Sequence, residues 1–219
     1  MKRIHTILIP FFVLMVSTPA VQAKDKVTGP YISLNGGFSF LSDSDVSFND
    51  VTFSTISFDP GFSGGGAFGY DFDDVRTEIE VMYRRWDMDT FTVPGTIGGT
   101  TITGCPCSAS VEGDVSSLSF MLNGYSIPPW LPDPWELYLG GGLGMANVDA
   151  EINVLGDDSD TVFAYQFMIG LGYDITTKTA LTIGYRFFDA VEPEFQVSGV
   201  PIEAKLQSHD FNLGLRFTF

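Results

Sequence analysis

The chain is poor in basic charge, in histidine and cysteine, and in long hydrophobic runs. Its 11 Lys and Arg face 27 Asp and Glu. This balance argues against nucleic acid as a partner and against simple electrostatic attraction to anionic lipid heads. Two cysteines, Cys105 and Cys107, are too few for a disulfide scaffold. Pairing within their Cys-Pro-Cys spacing would close a strained ring. With no His or third Cys nearby, they read as a surface-loop feature and not as a metal site. No run reaches the roughly 20 apolar residues that a spanning helix needs, and helix-period patterns are absent. Such a chain is either soluble and periplasmic, or it crosses a membrane as a closed barrel.

The N-terminus supports export. Lys2, Arg3 and His5 form a basic start, Ile7 to Val16 an apolar stretch broken by Pro10, and Val21-Gln22-Ala23 a small-residue cleavage site. Residues 1–23 are expected to be a secretory signal. Its removal leaves 9 Lys and Arg against 27 Asp and Glu, a formal charge of −18. Residues 24–219 are enough for one all-β domain.

The last segment, His209 to Phe219, shows the pattern that the rest repeats. Phe211, Leu213, Leu215, Phe217 and Phe219 alternate with Asn212, Gly214, Arg216 and Thr218. Period 2 gives a strand one apolar face and one polar or small face. Seven earlier segments read the same way: Pro30 to Phe40, Asp59 to Phe72, Val75 to Asp89, Gly113 to Ile127, Trp135 to Asn147, Thr161 to Ile175 and Lys178 to Asp189. Three connections are short: Asp73-Asp74, the proline-rich Pro128 to Pro134, and Thr176-Thr177. Four are long: Leu41 to Phe58, Thr90 to Glu112, Val148 to Asp160 and Ala190 to Glu203. The expected fold is an all-β, eight-stranded, antiparallel, up-and-down transmembrane β-barrel, with short periplasmic turns and long extracellular loops. Aromatics near strand ends (Tyr31, Phe40, Phe72, Trp86, Trp135, Tyr173, Phe219) are expected to form interfacial girdles. A soluble β-sandwich shares the alternation but does not account for the loop asymmetry, the signal and the terminal Phe together.

Strand parity places Glu78, Glu80, Arg84, Glu136, Arg186 and Arg216 in the lumen. An eight-stranded interior is just wide enough for side chains, and buried charges must pair. An ion-pair network is therefore expected, with Arg186 and Arg216 meeting Glu78, Glu80 or Glu136. A narrow gated pore is the functional alternative. Gly64 to Gly69 matches G-x-G-x-x-G, but no helix pattern follows, so no phosphate site is expected. Gly140 to Gly142 and Gly170 with Gly172 suit barrel curvature instead.

The only histidine after residue 23 is His209. Its parity is outward, near the rim where Ser42 could lie, while Ser208 and Asp210 point the other way. A lipid A-modifying enzyme is thus a second alternative, without a recognisable deacylase or palmitoyltransferase motif. The acidic loops lack fixed cation-ligand spacing. No residue is assigned a catalytic, cofactor-binding or metal-binding role.

Signal, eight alternating strands, four long loops and the Phe-Thr-Phe ending together resemble the small outer-membrane barrel superfamily, which includes the OmpA transmembrane domain, OmpX and the opacity proteins. The resemblance implies a monomeric barrel in the cell outer membrane, surrounded by membrane lipid and lipopolysaccharide. It further implies that the C-terminal strand, through Leu213, Leu215, Phe217 and Phe219, is an assembly signal read by the outer-membrane insertion machinery. The implied role is non-enzymatic: a structural protein, surface antigen or adhesin, with a host or cell-surface ligand engaged through the loops.

Overall fold

The structure is a computed structural model and describes residues 27–48, 51–93, 95–97, 100–101, 103–104, 106–110, 113–152, 156–191, 194–197, 200–203 and 206–219. The expected signal, residues 1–23, lies outside them. Eight long strands form the wall: β1 (Gly29–Leu41), β2 (Gly61–Asp71), β3 (Val75–Val93), β4 (Gly113–Ser126), β5 (Trp135–Ile152), β6 (Gly156–Asp174), β7 (Thr179–Ala190) and β8 (Leu206–Thr218). Each pairs antiparallel with its neighbours in sequence. β1 pairs with β8 from Tyr31–Thr218 to Leu41–Ser208, which closes the barrel and leaves the wall no free edge.

The alternation that creates the strands also sorts their side chains. Leu34, Phe38, Phe68, Leu122, Phe167, Ile183 and Leu213 are exposed on the outside. Glu80, Arg84, Ser119, Gln166 and Asp210 are buried inside. From His209 to Phe219, a strand rising about 3.3 Å per residue and tilted about 40° climbs roughly 25 Å, the height of an outer-membrane apolar band.

Turn chemistry matches the short connections. Asp73 has a φ of 83°, a region that Asp tolerates, and the Asp71 carboxylate accepts its N–H at 2.8 Å. The Thr176 hydroxyl accepts the N–H groups of Lys178 and Thr179 at 3.1 and 3.0 Å.

The long connections contain strands of their own. Leu41 to Phe58 contains two strands, Ser44–Phe48 and Val51–Phe58, the second of which pairs with the far end of β3. Cys107–Ser110 pairs with the same stretch of β3. Glu194–Val197 and Val200–Glu203 form a hairpin joined to Ser44–Phe48. β5 and β6 run on together to Ile152 opposite Gly156, well past the expected ends at Asn147 and Thr161. The β-branched residues of Val51–Phe58 favour such pairing. Cys107 is disulfide-bonded, an oxidation state that the sequence left open; Cys105 lies outside the described residues.

An apolar cluster sits inside the long-loop end: Leu41, Trp86, Met88, Val115, Met121, Val148, Phe188 and Leu206, among others. Closure also depends on close backbone approach at the seam between β1 and β8. A Cβ at Gly37 would lie 1.9 Å from the Phe211 carbonyl oxygen, whereas one at Gly64 would meet nothing within 4 Å. Gly37→Ala should therefore destabilise the barrel by about 1–3 kcal/mol, as overpacking does, and Gly64→Ala should be close to neutral. Urea unfolding in lipid vesicles measures the difference.

Candidate functional site

The lumen is the most elaborate polar site. Strand periodicity brings four arginines and the carboxylates of Glu78, Glu80, Glu136 and Asp210 into it, in three tiers, with Asp71 and Asp174 at the short-turn end. Nearest the short turns, Arg76 Nη2 donates to Glu136 Oε1 at 2.7 Å. Arg216 forks onto the same carboxylate, Nη1 to Oε1 at 2.7 Å and Nη2 to Oε2 at 3.1 Å. Gly172 leaves room for this carboxylate, since a Cβ there would stand 2.5 Å from Glu136 Cγ.

In the middle tier, Arg186 forks onto Glu80 at 2.8 and 2.6 Å, and Gln166 Nε2 reaches Glu80 Oε1 at 3.1 Å and Asn123 Oδ1 at 2.7 Å. Such paired, planar forks are the strong form of charge-assisted hydrogen bond. Glu78 is held differently. Its carboxylate accepts from Tyr31 and Tyr125 hydroxyls at 2.8 and 2.6 Å and from Asn123 at 3.0 Å.

In the upper tier, Arg84 Nε donates to Asp210 Oδ2 at 2.9 Å. Ser39 donates to Asp210 Oδ1 at 2.5 Å, and Trp86 Nε1 donates to Ser39 at 3.0 Å. The Arg84 guanidinium lies 3.9 Å from the centre of the Phe188 ring. Above this tier the apolar cluster begins.

All six charged residues expected in the lumen are inside it. Four of them form the pairs Arg186–Glu80 and Arg216–Glu136, Arg84 meets Asp210, and Glu78 takes neutral donors. Sequence reasoning left out Arg76 and Asp210, although parity had already turned both inward. Tyr31 and Trp86 are corrected from girdle to lumen: both are almost fully buried, because parity directs them inward and their polar atoms find partners there. A cavity of about 70 Å³ remains in the short-turn half, bordered by Tyr31, Asn35, Tyr125, Arg186 and Asn212. That is room for a few waters.

His209 faces outward. Its Nδ1 lies 2.7 Å from the Tyr185 hydroxyl, and its ring packs against Tyr185 and Phe187. The register sets Phe40 opposite His209, and the Ser42 N–H donates to the Gln207 carbonyl. Among the described residues, His209 is thus partnered by a tyrosine, and no Ser or carboxylate is hydrogen-bonded to it. The same residues contain no group of three or more His, Cys, Asp or Glu able to hold a metal ion. Leu213, Leu215 and Phe217 on β8, and Phe219 just beyond it, are all exposed on the outer face.

An apolar exterior with aromatic ends, a lumen packed with paired charges, and short turns opposite strand-built loops define a small membrane-spanning barrel of the outer-membrane type. The chain belongs to the family described as "Outer membrane protein beta-barrel domain", whose model matches residues 9–219, and it is a protein of the bacterial outer membrane. It is 24% identical over 175 residues to "Major surface antigen 4" of Anaplasma marginale, covering 70% of this chain and 60% of that protein. It is 26% identical over 246 residues to an "Outer membrane protein" of Gluconacetobacter diazotrophicus, covering 94% of this chain and 61% of that protein. The matches thus span about 60% of the length of these curated relatives. Among solved structures, OprG from Pseudomonas aeruginosa superposes with a TM-score of 0.58 at 15% identity, over 89% of this chain and 98% of that one. Neisserial surface protein A (NspA) superposes with a TM-score of 0.55 at 18% identity, over 87% and 97%. At these identities the likeness is one of fold.

Removing one partner from the middle tier leaves a buried charge unpaired. Arg186→Met should cost about 3–5 kcal/mol, and the double change Arg186→Met with Glu80→Leu should recover part of that loss. Denaturant unfolding of both variants in lipid vesicles reads the two values.

Proposed function

We propose that this protein is a non-enzymatic, closed barrel, monomeric in the outer membrane, that displays a β-structured surface built from its four long connections. The observation that carries this reading is the lumen, blocked by three polar tiers and then by an apolar cluster. In this reading the ion pairs fill the lumen and fix strand register. The long-loop end faces outward and the short turns face the periplasm, as in outer-membrane barrels generally. Residues 1–23 direct export and are then removed. The strands added to the long-loop end stiffen the exposed surface and suit a surface antigen or adhesin, with a host or cell-surface ligand as its partner. The relative named a major surface antigen points the same way. The His209 environment favours an interfacial anchor over catalysis, because the ring is stacked among aromatics and bonded to a tyrosine hydroxyl.

Two experiments test this reading. Mass spectrometry of lipid A from cells expressing the protein should match that from cells expressing His209→Ala; an acyl chain gained or lost in step with His209 would make the protein an enzyme. Replacing Ser44–Phe58 and 194–203 by short turns should abolish binding of expressing bacteria to a cell or antibody that recognises them, while leaving the barrel folded. Binding retained by both replacements would contradict a loop-mediated role.

We further propose that the exposed row Leu213, Leu215, Phe217 and Phe219 serves as the assembly signal for the insertion machinery. Deleting Phe219 should leave spontaneous refolding into vesicles nearly unchanged and lower the amount of assembled barrel in cells severalfold. Equal losses in both settings would assign these residues a purely structural role.

A further inference from the structure

The connection between β4 and β5 is unlike the other short turns. It spans Pro128-Pro129-Trp130-Leu131-Pro132-Asp133-Pro134, where the turns on either side need only a few polar residues. Four prolines fix much of its backbone. Short hydrogen bonds fix more: Trp130 N–H to the Pro128 carbonyl at 2.7 Å and Trp135 N–H to the Pro132 carbonyl at 3.1 Å. The turn is also tied to both neighbouring hairpins. The Ile127 N–H donates to the Asp74 carbonyl at 2.8 Å, and the Asp174 N–H donates to the Pro134 carbonyl at 2.9 Å. A rigid turn of this kind could have carried polar residues at its tip. Instead it holds Trp130 at 70% exposure and Leu131 at 39%.

The apolar tip is continuous with a surface already in contact with lipid. Trp135 follows the turn directly and packs edge-on against Tyr173 at 4.9 Å. Val75 and Phe72, beside the Asp74 anchor, are exposed on the outer face, as is Ile175 beside the Asp174 anchor. These residues form the aromatic and aliphatic rim at the short-turn end. Between the hydrocarbon and bulk water lies an interfacial layer of roughly 5–7 Å per leaflet, and a compact seven-residue turn tethered at the rim stays within about that depth. Tryptophan is the residue type that settles in this layer. The backbone suits it as well. Only Trp130, Leu131 and Asp133 of the seven residues possess an N–H, so few donors lose water when the turn enters the layer.

We propose that this turn is a membrane foot: Trp130 and Leu131 insert into the headgroup–glycerol layer of the adjoining phospholipid leaflet, the periplasmic one in the orientation proposed above. The foot adds a fixed anchor on the β4–β5 side and sets how the barrel sits in the bilayer. The occupant is lipid, chosen because the tip continues the lipid-contacting rim. A periplasmic protein docking on the same residues is the competing occupant.

The test uses the full chain carrying 5-fluorotryptophan, folded in phospholipid vesicles. Trp86, Trp130 and Trp135 give three fluorine signals, and the signal lost in Trp130→Phe identifies that of Trp130. A phospholipid bearing a nitroxide near its headgroup should broaden the Trp130 signal about as much as that of Trp135. A water-soluble gadolinium chelate present on both sides should broaden it far less than it broadens free fluorotryptophan. Trp86, buried in the lumen, should respond to neither. A Trp130 signal broadened by gadolinium and spared by the lipid nitroxide would overturn the proposal and leave the tip free for a protein partner. A signal spared by both would also overturn it, by showing the tip packed on protein. With both reagents on both sides, the result does not depend on barrel orientation, which protease access to the long loops on intact cells tests separately.

Discussion

A charge carried into an eight-stranded lumen must find a counter-charge or a set of hydrogen-bond donors there, and this requirement organises the protein. The wall is surrounded by lipid, so the outward positions across the apolar band are apolar, and the charged residues at that depth turn inward. Inside there is room for little water beyond the cavity of about 70 Å³ in the short-turn half. Arg186 with Glu80, Arg216 and Arg76 with Glu136, and Arg84 with Asp210 each join strands far apart in sequence. A one-residue slip of any strand would turn its charges into lipid and its aromatics into the lumen. The pairs therefore define register as well as filling space.

The tiers divide the labour along the barrel axis. Forked arginines with tyrosines occupy the short-turn half, beside the cavity. The upper half changes character: Arg84 is covered by Phe188, and beyond it the interior becomes apolar. That cluster continues into the strands of the long connections, through Ile56 and Phe58. The strands of the long connections are thus packed onto the top of the barrel core and share its rigidity, which suits the loop-mediated role proposed above.

Much of this was legible in the sequence, because period 2 repeated eight times is hard to produce otherwise. The closed barrel, the strand count and the inward or outward side of most residues followed from parity alone. The partners did not. Asp210 could be turned inward on paper, yet nothing in the sequence ties it to Arg84, 126 residues away. Tyr31 and Trp86 misled because aromatics at strand ends usually mark the interface; here both carry a polar atom that a lumen partner satisfies, Glu78 for one and Ser39 for the other. The strands of the long connections were hidden for a related reason. Each is short, and some partners are distant in sequence: Val51–Phe58 pairs with β3 beyond β2, and Ser44–Phe48 meets Val200–Glu203.

Ion conductance tests the filled lumen most directly. The purified chain, reconstituted in a planar lipid bilayer, should show no stable conductance above the bare membrane, because three polar tiers and an apolar cluster block the path. Long-lived, reproducible current steps from the unaltered protein would contradict the account and show that the lumen is an open pore.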